Sequence, residues 1–248
     1  GGYPFGDTVR ISVYLKKSGE RQLKLRIPYW AKDYTITRNG EVCDAPGLSN
    51  GYADVSVKDG DVVELFFKKE FSSHESPDGG VYFEYGPFLL ALKIEEKWEV
   101  DELEKRQTKE FPAYNVYPAS PWNYCVTGQE TPEILIRDVT ANPFWDGIPF
   151  EIHIDARVLN GWELVKQQLA KPELTEEQQA KPELKHEMGL DAKQVECGAT
   201  EIFEDLLLTP ELPTPEFVQK NAGEARRITL VPYGCTNLRV TVFPRYRK

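Results

Sequence analysis

Metal-binding and nucleophilic side chains are scarce in this sequence: its 248 residues include four cysteines, three histidines and one methionine. Cys43, Cys125, Cys197 and Cys235 lie far apart, with no Cys-x-x-Cys and no adjacent pair, so no zinc ribbon or thioredoxin-type centre is written locally. Cysteines scattered this way in a chain of this size read as reduced and buried. His74, His153 and His186 show no ligand spacing, and His153, alternating with Ile152 and Ile154, reads as a surface or interface residue. A Gly-rich phosphate loop and a Gly-x-Ser-x-Gly elbow are both missing, which removes the support for nucleotide binding and for a serine triad.

Long apolar runs are missing too. The longest candidate, Phe88-Leu89-Leu90-Ala91-Leu92, is strand-sized, against the roughly 20 residues of a membrane span. The start of the chain has no basic segment followed by an apolar one, so no signal peptide is expected here. Positive charge is in deficit: 30 Lys and Arg against 40 Asp and Glu leave a net charge of −10. Such a chain repels polyphosphate and anionic lipid, so neither nucleic acid nor a membrane surface is an expected partner. The basic clusters Arg226-Arg227 and Arg245 to Lys248 read as solvated strand ends.

What is present is the punctuation of a β protein. Val9, Ile11, Val13 and Leu15 alternate with polar residues, as do Leu23, Leu25 and Ile27 before Pro28 stops them. The segment 34–38 runs into Asn39-Gly40, a hairpin signal because both turn positions require positive φ. Alternation returns at Ala53 to Val57, Val63 to Phe67 and Val81 to Tyr85, and Phe88 to Ile94 follows Gly86-Pro87. Seven short strands in about 95 residues predict one compact sandwich. The charged stretch from Glu95 to Glu110 reads as a linker or surface excursion, after which the chain turns aromatic and proline-rich. Strand patterns return at Ile134 to Ile136, Ile152 to Val158, Ile228 to Val231 and Leu238 to Phe243.

The expectation is therefore an all-β chain of two consecutive β-sandwich, jelly-roll-like domains. They occupy 1–95 and 111–248, with 96–110 between them and a long, partly helical insertion at about 164–200 in the second. That insertion repeats Ala170-Lys171-Pro172-Glu173-Leu174 at Ala180 to Leu184, and two copies are too few for a solenoid. It reads as a tolerated loop with short helical pieces at most.

Candidate chemistry is thin. Glycosidases pair two carboxyl groups about 5–5.5 Å or 6.5–9.5 Å apart. Glu84, Glu95, Glu99, Asp138, Asp146 and Asp155 are all available, but 40 acidic residues make some such pair inevitable. Glu84, beside Tyr85-Gly86-Pro87, equally suits an edge or interdomain hydrogen bond. The aromatics say more, because sugar rings present apolar C–H faces to flat side chains while polar neighbours take the hydroxyls. Trp122-Asn123-Tyr124 and Trp145-Asp146 combine ring and polar partner, making Trp122, Asn123, Tyr124, Trp145 and Asp146 the candidate carbohydrate contacts. Core packing or domain docking is the stronger reading of the same rings.

Several segments resemble glycoside hydrolase family 127, the β-L-arabinofuranosidase-like enzymes and their bacterial relatives. They are Tyr3-Pro4-Phe5-Gly6-Asp7-Thr8-Val9-Arg10-Ile11, Leu25-Arg26-Ile27-Pro28-Tyr29-Trp30, Gly51-Tyr52, Gly60-Asp61-Val62-Val63 and Glu84-Tyr85-Gly86-Pro87. Trp122-Asn123-Tyr124, Leu230-Val231-Pro232-Tyr233-Gly234 and Leu238 to Pro244 continue the series, and their order carries the match. The resemblance implies the β-sandwich region that follows an (α/α)6 catalytic barrel. In the family, hydrolysis is attributed to a cysteine nucleophile in a zinc site of one Glu and three Cys. With no Cys-Cys pair here, the resemblance implies no catalytic residue, metal ligand or cofactor in this chain, zinc belonging to the absent barrel. Glu41-Val42-Cys43 has the Glu-x-Cys spacing of such ligands, yet it follows the Asn39-Gly40 hairpin and reads as a strand with an incidental Cys. The implied partners are an upstream barrel of the same polypeptide and arabinose-containing glycans. A free-standing carbohydrate-binding module is the alternative function, and a complete glycosidase the weaker third.

Overall fold

The computed structural model describes residues 2–43, 48–101, 107–138, 147–167, 206–208 and 210–247. They are nearly all β, as the alternation predicts. The chain divides into two compact units, one of Gly1–Lys97, Val116–Asn160 and Thr214–Lys248, the other of Trp98–Asn115 and Gly161–Pro213.

In the first unit, β1 (Thr8–Ser12), β2 (Arg21–Arg26), β3 (Tyr34–Arg38), β4 (Glu41–Val42), β5 (Tyr52–Val57) and β6 (Val62–Phe67) make two antiparallel layers. One is a sheet in the order β1-β6-β3-β4, the other the β2-β5 pair. Period-two alternation turns Leu25, Ile36, Val55, Val63, Leu65 and Phe67 inward into one core. Asn39 and Gly40, at φ of 53° and 87°, close the β3–β4 hairpin as their sequence predicts.

The larger sheet of the same unit draws on β7 (Phe71–Glu75), β8 (Val81–Tyr85) and β9 (Phe88–Leu92). After β10 (Glu96–Val100) and β11 (Tyr114–Pro118) come β12 (Tyr124–Cys125), β13 (Glu133–Ile136) and β14 (Phe150–Leu159). Then follow β15 (Val165–Gln167), β16 (Leu206–Leu208), helix α1 (Pro215–Asn221) and β17 (Ala222–Pro232). The order is β12-β14-β17-β9-β8-β7, with β13 also paired to β14.

Three readings of the sequence are corrected here. Residues 81–92, read with the first sandwich, hydrogen-bond into the larger sheet, where Leu230, Val231 and Pro232 pair with Leu92, Ala91 and Leu90. The physical reason lies in β9 itself: Leu90, Ala91 and Leu92 are all buried, as in a strand with neighbours on both edges and cover on both faces. Glu96–Val100, read as part of a charged excursion, is a strand paired with β11. Leu238 to Phe243, read as a strand, instead touches the larger sheet through isolated hydrogen bonds. Leu92 N donates to Val240 O at 2.9 Å, and Val81 and Phe243 form an isolated bridge. Apart from 164–167, the insertion expected at about 164–200 lies outside the described residues.

Helix α1 is short and well capped. Thr214 accepts from Phe217 N, Pro215 occupies the first turn and Glu216 adds a negative charge there. Val218 is its buried contact. In the second unit, β15 and β16 pair antiparallel and Trp98 meets Tyr114 edge-on at 5.6 Å. Trp162 is buried there, its indole N–H donating to Glu211 O at 3.2 Å.

Register gives the larger sheet two unlike faces. One carries Phe83, Leu90, Leu92, Ile152, Ile154, Ile228 and Leu230, all buried. The other carries Ser72, His74, Tyr82, Glu84, Leu89, Glu151, His153 and Thr229, with the buried Ala91 and Val231 between them.

Candidate functional site

The polar face of the larger sheet is where chemistry-bearing side chains converge. At the β7–β8 end, Ser72 opposes Glu84 and His74 opposes Tyr82. Glu84 Oε2 lies 3.2 Å from His74 Nε2, which also lies 2.9 Å from Ser72 Oγ. The His74 and Tyr82 rings stack at 5.1 Å and 25°. Tyr29, on the segment following β2, reaches across from the smaller sandwich and donates its hydroxyl to Glu84 Oε1 at 3.4 Å. The nearby carboxylate, more than any burial, raises the Tyr29 pKa above the usual phenol value. β2 ends at Arg26, three residues before Tyr29, which is 75% exposed.

Farther along the face, Glu151 is clamped between Lys93 Nζ and Arg137 Nη2, each 2.7 Å away. Its side chain is only 8% exposed, and these donors, Lys93 foremost, hold its carboxyl below the ordinary glutamate value against the opposing effect of burial. His153 Nδ1 lies 3.0 Å from Thr229 Oγ1 across the β14–β17 ladder. Its partner is a hydroxyl on the polar face, in keeping with a histidine that sits opposite the core.

The residues singled out as sugar contacts fall elsewhere. Trp122 is 9% exposed, packed into the first unit. Asn123 Nδ2 donates to Leu159 O at 2.9 Å, and Leu159 N donates to Asn123 O at 2.8 Å, tying β12 to the end of β14. Tyr124 pairs with Val158 and is half-buried, and desolvation raises its phenol pKa. Trp145 and Asp146 lie outside the described residues. Sequence reasoning had passed over Ser72 and Tyr82 and had put His74 and Glu84 to no common use. The available signal was the polar alternation Ser72-His74 in a segment not read as a strand.

The metal question has a local answer. Cys43 packs against the core of the smaller sandwich, while Glu41 is exposed. The described residues include no group of three His, Cys, Asp or Glu side chains placed to hold an ion. Among the described residues, Glu41 and Cys43 are thus joined by no third such side chain, short of the four ligands of a structural zinc centre. Burial pushes the Cys125 thiol up to about 11 and raises that of Cys235, the reverse of what a nucleophile needs.

Comparison with known proteins bears on these elements in turn. Residues 1–69 match the family described as Beta-L-arabinofuranosidase, GH127 middle domain. That span holds β1 to β6 and their core, so the resemblance read from the sequence stands for the smaller sandwich. No curated protein sequence matches the chain. Among solved structures, a GH127 beta-L-arabinofuranosidase from Geobacillus stearothermophilus T6 aligns with a TM-score of 0.52 at 19% identity, covering 99% of this chain and 29% of that one. A glycoside hydrolase aligns at 0.52 and 17% identity, covering 100% and 32%, and a GH127 beta-arabinofuranosidase at 0.50 and 17%, covering 99% and 31%. At these identities the likeness establishes the fold. The chain spans less than a third of the length of each of these structures.

Proposed function

We propose that this chain is a non-catalytic accessory β-sandwich region of a glycoside hydrolase family 127-like enzyme, bracing an (α/α)6 catalytic barrel elsewhere in a longer polypeptide. The observation that carries this reading is the match of residues 1–69 to a middle domain, in a chain that aligns almost end to end with under a third of each similar structure. The local chemistry supports it: the Cys125 and Cys235 thiols have raised pKa values, the reverse of what a thiolate nucleophile needs. Zinc–thiolate chemistry, which would activate the nucleophile for glycosidic cleavage, belongs on this reading to the barrel. The parent's substrate class is then a terminal β-L-arabinofuranosyl or similar unit.

A carbohydrate-binding module remains the second reading. A glycan contact at the Trp122–Tyr124 segment would fall to Tyr124, because Trp122 is buried and the Asn123 amide is engaged with Leu159.

The test is an assay of the chain alone and of the full parent on 4-nitrophenyl β-L-arabinofuranoside. Release of nitrophenol by the parent and none by the chain is the expected result. Turnover that co-purifies with the chain would refute the accessory role.

A further inference from the structure

We propose that the outward face of β7 and β8, together with Tyr29, is a binding patch for a neutral sugar unit. Glu84 lies at its centre, its side chain 19% exposed on a strand whose residues Val81 and Phe83 anchor the opposite face in the core. A carboxylate offers about four lone-pair sites. Tyr29 occupies one on Oε1, and His74 Nε2, which hydrogen-bonds Ser72 Oγ, lies 3.2 Å from Oε2, leaving each oxygen able to accept from one of two vicinal hydroxyls. Hydrogen bonds of that kind are charge-assisted and directional.

The flanking rings supply the apolar half of the recognition. Tyr29 is fixed at its hydroxyl by Glu84, yet three-quarters of its surface faces water. A held, exposed ring loses little freedom when the C–H face of a sugar covers it. Tyr82, braced by the stacked His74 ring, carries a hydroxyl with no hydrogen-bond partner among the described residues. The patch thus joins flat apolar surface with a few placed polar groups.

The same chemistry argues against other ligands. An anionic or phosphorylated ligand would meet the Glu84 charge. A cation would find Glu84 and His74 but no third His, Cys, Asp or Glu placed with them among the described residues. The patch stands independently of the bracing role, since it rests on side chains of this chain alone.

Titration of the 15N-labelled chain with methyl β-L-arabinofuranoside, lactose and cellobiose, followed by 1H–15N correlation spectra, tests the proposal. Saturable shifts confined to residues 72–74 and 82–84 and the Tyr29 segment are expected for at least one sugar. Glu84→Gln should weaken that binding about tenfold, the loss of one charge-assisted hydrogen bond. Tyr29→Ala, an exposed substitution checked for folding by its own spectrum, should abolish it. No saturable shift with any of the three sugars, or shifts that map elsewhere or persist in folded Tyr29→Ala, would overturn the proposal. A face reserved for another protein domain would give the first of those results.

Discussion

Asn123 and Leu159 exchange two hydrogen bonds, the Asn123 side-chain amide donating to Leu159 O and Leu159 N donating to Asn123 O. The pair fixes the short strand β12 against the far end of β14 and gives Asn123 a structural role. Asn123→Ala removes the side-chain bond and leaves a part-buried carbonyl without that donor. A loss of about 1 kcal/mol is expected, read as a lower urea midpoint with an unchanged slope.

Glu151 gives the fold an acid-sensitive contact. Its folded pKa lies below the ordinary value of 4.5, so its stabilisation is complete above that value and is lost as the pH falls through the folded pKa. Glu151→Gln weakens both charge-assisted bonds while Lys93 and Arg137, about half exposed, regain water. The variant should be less stable by about 1–2 kcal/mol at pH 7. The difference from wild type should shrink as the pH falls below 4.5, as calorimetry at a series of pH values would record.

Much of the first sandwich was legible because its determinants are local. The alternation at Leu23 to Ile27 and Val63 to Phe67, and the positive-φ demand at Asn39-Gly40, fix strand, face and turn within a few residues. The pairing of β9 with β17 joins residues about 140 apart, and no short-range pattern encodes it. The same holds for the Tyr29–Glu84 contact, which spans 55 residues and depends on where two separate layers meet. Helix α1 was readable and went unread: Thr214-Pro215-Glu216 carries cap, first-turn proline and acidic residue in order. Phe71 to Glu75 went unread because its residues Ser72, Ser73 and His74 offer little apolar alternation, its partner β8 supplying much of the buried surface there.

Cys125 should resist modification. It is 1% exposed and its thiol pKa is raised to about 11, so at pH 8 both access and thiolate are limiting. Iodoacetamide labelling followed by mass spectrometry should therefore find Cys125 unmodified in the native protein and labelled at the unfolding transition in urea. Rapid native labelling at pH 8 would show the site to be more open than the packing indicates.

Gly86 sits at φ 56° in the β8–β9 turn, and a Cβ there would come within 2.6 Å of Lys69 Cγ. Lys69 has little room to yield: its ammonium is held by Phe5 O at 2.9 Å and by the Asp7 carboxylate. Gly86→Ala should cost about 2 kcal/mol from left-handed backbone strain and crowding together. The pairing of Lys69 with Asp7 should loosen with it, detectable as faster amide exchange around residues 5–7.

The central claim, that this β-rich region braces a catalytic barrel, is tested most directly by calorimetry on the parent polypeptide with and without residues 1–248. The account predicts that deletion lowers the melting temperature of the remaining barrel and that adding back the purified chain restores at least part of it. A barrel that melts at the same temperature in both forms would contradict it.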